Sequence, residues 1–534
     1  MTGRVADGAD PAGGGEPDGM RAESASERWR FAWLVAGAFC LLTVPRLLAH
    51  ELWRDETWLW QVVLESTDLA DLGSRLGRTG QGYLFPLLCF LARRVSTSPL
   101  AMQVVNLVLA SFGAWAFVRW APFGRTARAL FVLGYLPFYE YAVISRHYAA
   151  GALLLWLGCA ATRGRRPALA LGAALGLLCQ TTVYGYILAL AVAGGWLVDR
   201  LFRRRELAPL PRVEVAVGLA LGIGGAIAGI IQLIPEAGTI FASGWRFFWE
   251  PAVAERVLQM PWRAFVLLPQ PELHFWNTNL LDPWPVLQAM TGVLVLVGAI
   301  AFVWPRKAAL TTFLIGAAGF GAFGYIKFVG SLRHDGHWWL LFAAALWLGG
   351  GLPTQTSQRK GRRSWRASTF LALLLLHCAA GAFASWMDLR HPFSNAARTA
   401  QLLRALGLDR QPLLGYHEAP AAPVAFALGR PVFFPSRGVF ASHPEWAPKE
   451  RELSPKRLRC SARGLAEREG RDIVLIVNTE LPPWGEVEEV GSVLGAIQRT
   501  EDYHLLRLLY ARLLDTAPAA RCLAGRPIPE LAAR

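Results

Sequence analysis

The chain has 534 residues, of which 54% are hydrophobic and only 17% are charged, and its mean hydropathy is +0.32. Soluble globular proteins carry about 25% charged residues, so the composition excludes a water-soluble enzyme of this size as well as a disordered protein. The net charge is +15, but most arginines flank apolar segments, and no basic, aromatic-interleaved domain indicates a nucleic-acid partner.

The N-terminal segment 1–30 is rich in Gly, Pro, Asp, Glu and Ser, and we expect it to form a disordered cytoplasmic tail. A membrane helix needs about 20 apolar residues, and 31–49 is the first such segment. Later candidates bring the expected number of spans to about eleven: 99–118, 128–145, 148–162, 167–181, 183–199, 213–234, 285–304, 308–328, 338–352 and 368–387. The sequence therefore predicts a mainly α-helical transmembrane domain over 31–390.

Basic residues precede the first predicted span and follow every second one after it. They are Arg21, Arg28, Arg30, Arg119, Arg125, Arg128, Arg163, Arg165, Arg166, Arg203, Arg204, Arg205, Arg306, Lys307, Arg359, Lys360, Arg362 and Arg363. Cytoplasmic loops carry such an excess of Lys and Arg. We therefore expect an integral protein of a bacterial-type inner or plasma membrane with a cytoplasmic N-terminus, outer loops at 50–98 and 235–284, and an extracytoplasmic tail at 391–534.

The apolar segment 83–92 would break this alternation if it crossed, so we expect it to lie along the outer interface. Helical and strand-like patterns alternate in the tail, at 396–406, 412–416, 431–434 and 472–478. This alternation predicts a small extracytoplasmic α/β domain. Cys460 and Cys522 lie in the tail and can form a disulfide if it is outside the cytoplasm.

The first outer loop carries Arg54, Asp55 and Glu56 a few residues past the first span. Behind them, apolar residues recur with helical spacing, which predicts a helix lying flat on the membrane. A carboxylate at head-group depth can deprotonate an acceptor or hold a metal that neutralises a phosphate. Asp55 and Glu56 are therefore candidate catalytic residues, and Arg54 is a candidate substrate contact. The alternative is a solvated helix N-terminus whose acidic residues face the helix dipole.

The second cluster, with Glu140, Arg146, His147 and Tyr148, closes the third predicted span. An ionisable group at the depth of Glu140 is costly and is usually paired or functional. The guanidinium of Arg146 suits a phosphate, and His147 lies next to it. The alternative is an interfacial anchor with an internal Glu–Arg pair.

The third cluster, between the ninth and tenth predicted spans, contains Lys327, Arg333, His334 and His337. The positive-inside rule disfavours basic residues in a short outer turn, so such a turn indicates an anionic ligand. Structural roles and metal ligation through His334, Asp335 and His337 are the alternatives, although one short segment cannot complete a tetrahedral site. Because all three clusters are expected at the outer surface, one cavity can hold them all.

An Asp-Glu pair after the first span, flat helices in the first outer loop, an outer arginine after the third span and an outer soluble tail resemble the GT-C membrane glycosyltransferases. That class includes the protein O-mannosyltransferases and the lipid A aminoarabinose transferases. The segment 82–86 also resembles the proline-containing start of the second loop helix in this class, but the His-Pro-Pro of the O-mannosyltransferases is not found there. The resemblance covers about residues 31–390.

The resemblance implies that Asp55, with Glu56 as its neighbour, acts as a base or metal-associated group. It also implies that Arg146, Lys327 or Arg333 binds a lipid phosphate. The expected activity is inverting transfer of a sugar from a polyprenyl-phosphate-linked donor to an extracytoplasmic glycan, lipid or protein, with a divalent metal possible. The alternatives are a transporter or flippase for a lipid-linked glycan, although no inverted repeat is visible, and a non-catalytic envelope scaffold acting through the tail.

Overall fold

The computed structural model describes residues 23–352, 365–446 and 453–514. It is mainly helical, at 63% helix, with a small C-terminal sheet. The helices before the C-terminal domain are α1 (Ala25–Ala49), α2 (Arg54–Glu65), α3 (Leu69–Gly77), α4 (Leu84–Ala92), α5 (Leu100–Trp120), α6 (Arg125–Val132), α7 (Tyr148–Ala161), α8 (Pro167–Leu178), α9 (Val183–Phe202), α10 (Arg212–Leu233), α11 (Pro251–Phe265), α12 (Pro285–Val303), α13 (Lys307–Ile326), α14 (Leu332–Asp335), α15 (His337–Leu348) and α16 (Trp365–Arg390).

Seven helices in the described residues are long and apolar enough to cross a membrane: α1, α5, α9, α10, α12, α13 and α16. In six of them most of the most apolar stretch is unburied, and in α10 only 11% of it is buried; α5, at 56% buried, is the exception. A helix with an uncovered apolar surface of this length is typical of a membrane span. These seven correspond to seven of the predicted spans.

The remaining four predicted spans differ from the expected long helices. Three of them correspond to the shorter helices α7, α8 and α15, of 14, 12 and 12 residues. The fourth, predicted at 128–145, is not one helix: it divides into α6 and a π-helical turn at Leu136–Glu140, followed by non-helical backbone up to His147. The N-terminal prediction also needs correction, because α1 begins at Ala25 behind a capping box formed by Ser24 and Glu27; residues 1–22 lie outside the described part.

The unwound segment after the π-turn depends on a side chain from another helix. Pro137 has no backbone N–H to donate to the preceding turn. Beyond the turn, the amide nitrogen of Asn106, in α5, lies 3.0 Å from the carbonyl oxygens of both Tyr141 and Ala142 and donates to them. Irregular backbone is tolerated inside an apolar bundle when such partners satisfy it. Asn106 therefore allows the chain to leave the helix where the candidate residues of the second cluster begin.

The basic connections meet at one end of the bundle. Arg128 pairs with Glu23, next to the start of α1, and Arg306 donates to the carbonyl of Gly351. Arg306 also lies within electrostatic reach of Arg163 and Arg366. Gly351 lies against the carbonyl of Pro122, in the connection after the second predicted span. The connections after the second, fourth and eighth predicted spans thus share the end at which α1 starts. The candidate site lies where α1 ends, which we call the site end.

Glycines bring α8 and α10 into backbone contact. A Cβ added to Gly172 would lie 2.0 Å from the carbonyl oxygen of Gly218, and one added to Gly225 would lie 2.4 Å from the Cα of Gly176. Any larger side chain at these positions would force the helices apart. Small residues allow this close approach, which is how helices associate where no water can drive them together.

The C-terminal domain contains α17 (Ala396–Ala405), β1 (Leu413–Gly415), α18 (Glu418–Leu428), β2 (Val432–Phe434), β3 (Val439–Ala441), α19 (Pro455–Glu469), β4 (Ile473–Val477), β5 (Val487–Val493), β6 (Tyr503–Leu508) and α20 (Tyr510–Leu514). The strands form one sheet in the order β3-β2-β1-β4-β6-β5, and β1 is parallel to both β2 and β4. The predicted helix and three predicted strands are confirmed as α17, β1, β2 and the fully buried β4. The sequence prediction missed β3, β5 and β6. Cys522 lies outside the described residues, so the predicted disulfide stays a prediction.

The loops next to the site end are largely helical. The predicted loop 50–98 contains α2, α3 and α4, and the predicted loop 235–284 contains α11. The nine-residue helix α4 is too short to span a bilayer, which agrees with the expectation that 83–92 does not cross. The C-terminal domain packs on this end, since α18 contacts α2 and the backbone N–H of Arg54, at the start of α2, donates to the Glu501 carboxylate at 3.0 Å.

Candidate functional site

The candidate carboxylates, Asp55 and Glu56, lie in the first turn of α2, shortly after the end of α1 at Ala49. Seven of its twelve residues are buried, among them Trp58, Leu59, Val62 and Val63, whose helical spacing predicted the helix. Asp55 and Glu56 lie near its N-terminus, where the helix dipole favours negative charge. The two side chains then diverge, because that of Asp55 is 14% exposed and that of Glu56 is 0% exposed.

Two arginines from distant parts of the chain converge on Asp55. Its Oδ2 lies 3.6 Å from Nη2 of Arg146 and 3.5 Å from Nη2 of Arg333. Arg146 also donates from Nη1 to the backbone carbonyl of Asp55 at 3.0 Å. Arg333 is 278 residues from Asp55 in sequence. The structure therefore brings one member of each predicted cluster into a single ion cluster, which we call the Asp55 cluster.

The Asp55 cluster has properties of an anion-binding site. Two guanidinium groups share one carboxylate oxygen, so one positive charge is left over. The ion-pair distances exceed the 2.7–2.9 Å typical of charge-assisted hydrogen bonds, so the pairing is loose. The Nε atoms of Arg146 and Arg333 are buried and have no hydrogen-bond partner within the described residues. An anion with several oxygens, such as a phosphate, supplies the acceptors that these donors lack.

Arg333 is held by the rings of two tryptophans. Its guanidinium lies 4.9 Å from the ring centroid of Trp53 and 5.2 Å from that of Trp276. Both distances allow cation–π attraction, which is stronger when the cation is desolvated. The helix α14 that carries Arg333 is fixed from its other side by Asp335, which accepts from Arg256 at 3.0 Å and Arg263 at 3.1 Å.

Glu140 supports this aromatic cradle instead of pairing with Arg146. Its Oε2 accepts from the Tyr135 hydroxyl and from Nε1 of Trp276, both at 3.0 Å. Arg333 is the charged group that interacts most strongly with it. The predicted internal Glu–Arg pair is therefore replaced by an indirect arrangement, in which Glu140 orients the indole against which Arg333 lies.

Glu56 is enclosed on every side by hydrogen-bond donors. Its Oε1 accepts the backbone N–H of Ser145 at 2.6 Å, and its Oε2 lies 3.1 Å from Nε2 of His50 and 3.4 Å from the backbone nitrogen of Trp53. A side chain with no exposed surface and both oxygens engaged is poorly placed to touch a substrate. The prediction that Glu56 is catalytic is not supported by this geometry, which instead gives Glu56 a structural role.

The predicted histidine contacts are also internal. His147 lies 2.7 Å from Gln81 through Nε2, and burial, with Arg146 next to it, lowers its pKa to about 3. His334 accepts the Ser331 N–H at Nδ1 and lies 3.0 Å from the Tyr148 hydroxyl at Nε2. Burial and the charge of Arg333 lower the pKa of His334 well below its usual value. These rings are neutral near pH 7 and do not add positive charge to the site.

His337 and Tyr148 complete an aromatic layer under Arg333. Nδ1 of His337 lies 2.9 Å from the carbonyl oxygen of His334, and the ring of Tyr184 stacks on His337 with centroids 4.6 Å apart. Tyr148 packs against Tyr141 with centroids 5.2 Å apart. The layer positions α14, and through it Arg333.

Two predicted substrate contacts are directed away from the Asp55 cluster. The backbone N–H of Arg54 donates to Glu501 at 3.0 Å, and its Nη1 donates to the Thr500 hydroxyl at 3.1 Å, so Arg54 joins α2 to the C-terminal domain. Nζ of Lys327 donates to the carbonyl of Ser243 at 2.6 Å and lies over the ring of Trp245. Of the three predicted phosphate ligands, only Arg146 and Arg333 therefore meet Asp55.

Sequence reasoning missed His50, Asp388, Trp53 and Trp276. Nδ1 of His50 lies 3.0 Å from Oδ2 of Asp388, which is 338 residues away in sequence. A signal was present at both positions, since His50 directly follows the first predicted span and Asp388 directly follows the last. Nothing local connects the two, however, and their pairing depends on the packing of α16 beside α1.

The donor set does not fit a divalent cation. Among residues 23–352, 365–446 and 453–514, no group of three or more His, Cys, Asp or Glu side chains is arranged to hold a metal ion. Asp55 offers one carboxylate, and its charged neighbours are Arg146 and Arg333. Two adjacent guanidinium groups repel a cation, so the chemistry below is derived without one.

No protein-family model and no curated protein sequence matches this chain. The resemblance to the GT-C glycosyltransferases therefore stays a prediction, and functional reasoning depends on the geometry of the Asp55 cluster.

Proposed function

We propose that this protein is a membrane glycosyltransferase that moves a sugar from a polyprenyl-phosphate-linked donor to an extracytoplasmic acceptor. One observation carries the proposal: a partly exposed carboxylate, Asp55, lies against two arginines whose Nε atoms lack partners. A base and an anion site side by side are what transfer from a phosphate-linked sugar requires. The acceptor must lose a proton, and the departing phosphate must be stabilised.

The proposed reaction is a single inverting displacement. Asp55 takes the proton of an acceptor hydroxyl, and that oxygen attacks the anomeric carbon of the sugar. The bond between the anomeric carbon and the phosphate oxygen breaks, and its electron pair leaves with the lipid phosphate. Arg146 and Arg333 would stabilise the negative charge that grows on the phosphate in the transition state. A phosphate bound to the arginines would also compete for their contact with Asp55, which leaves that carboxylate available as a base.

The distribution of basic residues supports a proposal for how the helices lie in the membrane. We propose that the bundle crosses the bilayer eleven times, through the seven long apolar helices and also through the segment 128–145, α7, α8 and α15. Eleven crossings put every basic connection in the cytoplasm and the site end outside. A lipid-linked donor in the outer leaflet would then present its phosphate at the depth of Asp55. The C-terminal domain would lie outside the membrane against α2, where acceptors are encountered.

Purified protein in nanodiscs, supplied with a radiolabelled polyprenyl-phosphate sugar and a panel of acceptors, tests the proposal. We expect transfer by the wild type and loss of at least about a hundredfold in Asp55→Asn, as is usual when a general base is removed. Asp68→Asn is the matched control. Asp68 caps α3 in the same loop, and Asn caps helices equally well, so this variant should retain transfer.

Other outcomes separate the alternatives. Full transfer by Asp55→Asn would contradict the assignment of Asp55 as base. Movement of a fluorescent lipid-linked glycan between leaflets without any transfer to acceptors would identify a flippase and overturn the proposal. An absence of both activities, together with a cell-envelope defect that depends on residues 391–534, would indicate a scaffold.

A further inference from the structure

Three ionisable side chains form a buried line beside the Asp55 cluster. Asp388, near the end of α16, lies 3.0 Å from Nδ1 of His50, and Nε2 of His50 lies 3.1 Å from Oε2 of Glu56. All three side chains are at most 1% exposed. Ionised carboxylates only accept hydrogen bonds, so a histidine between two of them donates from both nitrogens. With Asp388 and Glu56 ionised, His50 is an imidazolium.

The line ends at the segment that carries Arg146. Glu56 uses its second oxygen to accept the backbone N–H of Ser145 at 2.6 Å. Ser145 immediately precedes Arg146, in the non-helical stretch between the π-helical turn and α7. The bond from Glu56 thus ties the start of α2, which carries Asp55, to the backbone that carries Arg146.

We propose that His50 is a positioning residue: as an imidazolium held by Asp388, it fixes Glu56 in the orientation that binds the Ser145 N–H and so keeps Arg146 beside Asp55. The proposal rests on the function proposed above for its consequence in catalysis. It gives the two members of the Asp-Glu pair different tasks, with Asp55 facing substrate and Glu56 acting on the site through the backbone.

The electrostatic surroundings agree with a protonated His50. Burial alone would lower its pKa, but Asp388 and Glu56 outweigh burial and raise the pKa to about 10. Two further carboxyl groups, Glu51 and Glu140, interact with His50 over a longer distance. Arg46 is the nearby cation on the Asp388 side. It is turned towards the carbonyl of Phe138 and the hydroxyl of Ser385, at 2.9 and 2.8 Å.

Unlike an apolar contact, this buried ionic line depends on the protonation state of His50. As a neutral imidazole with one N–H, His50 could donate to only one of the two carboxylates, and the other carboxylate would be left buried and without its partner. A buried charge that loses its partner is strongly destabilising. Deprotonation of His50 should therefore release Glu56, and with it the Ser145 N–H, instead of merely weakening one contact.

Hydrogen–deuterium exchange of the peptide covering 141–147 tests the clamp without any substrate. In Asp388→Asn and in His50→Gln, we expect the Ser145 amide to exchange about ten- to a hundredfold faster, because its charge-assisted acceptor is no longer fixed. In the wild type, the same acceleration should appear as the pH approaches that at which His50 deprotonates, after correction for intrinsic exchange. Glu56→Gln is a second variant that keeps the side-chain size.

The pH profile of transfer tests the consequence for catalysis. Removal of a neighbouring opposite charge moves a pKa by about 1–3 units, so Asp388→Asn should shift the alkaline limb of kcat/KM to lower pH by at least about one unit. A purely structural loss would lower activity equally at all pH values and leave the limb in place. His377→Gln is the control, because His377 is buried on the same helix, α16, but bonds to a backbone carbonyl, that of Phe265, at 3.2 Å.

The outcomes separate this inference from the proposed function. Faster Ser145 exchange together with a shifted limb, both absent from His377→Gln, supports the positioning role. Unchanged Ser145 exchange in both Asp388→Asn and His50→Gln overturns it, whatever the activity. If the wild type shows no transfer at all, the proposed function fails, while the exchange experiment still decides whether His50 holds Glu56 and Ser145 together.

Discussion

Replacement of Arg333 by alanine removes a charge that the Asp55 cluster cannot replace. The guanidinium lies 3.5 Å from Oδ2 of Asp55, so we expect a phosphate bound there to come equally close. Two unit charges at 4 Å interact by about 4 kcal/mol at the effective dielectric constant of a site near a protein surface. The part of this energy that develops only in the transition state sets the loss in kcat.

Loss of one preorganised donor to a developing anion costs about 10²–10³ in kcat. We therefore expect Arg333→Ala to lower kcat for transfer by about that factor. Arg333→Lys retains the charge but loses the planar group that lies between Trp53 and Trp276. Its kcat should fall by about tenfold, between the wild type and the alanine variant.

Single-turnover kinetics with a radiolabelled polyprenyl-phosphate sugar in nanodiscs measures this effect, because saturation with donor separates chemistry from binding. Thermal unfolding in detergent must show that the variants remain folded. Retention of kcat within about threefold in Arg333→Ala would refute the claim that Arg333 stabilises the leaving phosphate. A higher KM with unchanged kcat would limit Arg333 to donor binding.

The remaining predictions concern stability. Burial raises the pKa of Glu501 to about 7. The free energy of unfolding should therefore fall by up to about 3 kcal/mol as the pH rises from 4.5 to 7, and this group should not affect it below 4.5. Glu501→Gln should remove this pH dependence from thermal unfolding curves. A Cβ at Gly225 would lie 2.4 Å from the Cα of Gly176, whereas one at Gly224 would meet nothing within 4 Å. We therefore expect Gly225→Ala to lower the unfolding temperature in detergent by several degrees and Gly224→Ala to leave it unchanged or raise it. Equal unfolding temperatures for the two variants would contradict the close contact between α8 and α10.

The long helices were predictable because apolar length is a local property of the sequence. The prediction of one continuous helix at 128–145 was wrong, because composition alone does not show what breaks a helix inside a bundle. Pro137 was visible, but the decisive partner is Asn106, which satisfies the carbonyls of Tyr141 and Ala142 from another helix. Asn106 was visible as a polar amide in the second apolar segment, but Gln103 lies there too, and nothing in the sequence shows which of them reaches the broken helix.

The candidate site was partly predictable for a similar reason. Asp55, Arg146 and Arg333 follow from charge at the ends of apolar segments, and the structure brings these three together. The sequence could not show that His147 is neutral, because its protonation depends on burial and on the adjacent Arg146. Lys327 does not join the Asp55 cluster, because its ammonium group lies over the ring of Trp245 in another loop, and no sequence pattern predicts that contact.

The helix α16 is at once the last long apolar helix, the carrier of Asp388 and the stem from which the C-terminal domain continues after Arg390. A rotation of that domain about its stem would turn Asp388 as well and pull it away from His50. The C-terminal domain is therefore expected to keep a fixed orientation over the site end instead of rotating about α16. On the proposed function, the fixed position of this domain would then limit which acceptors reach Asp55.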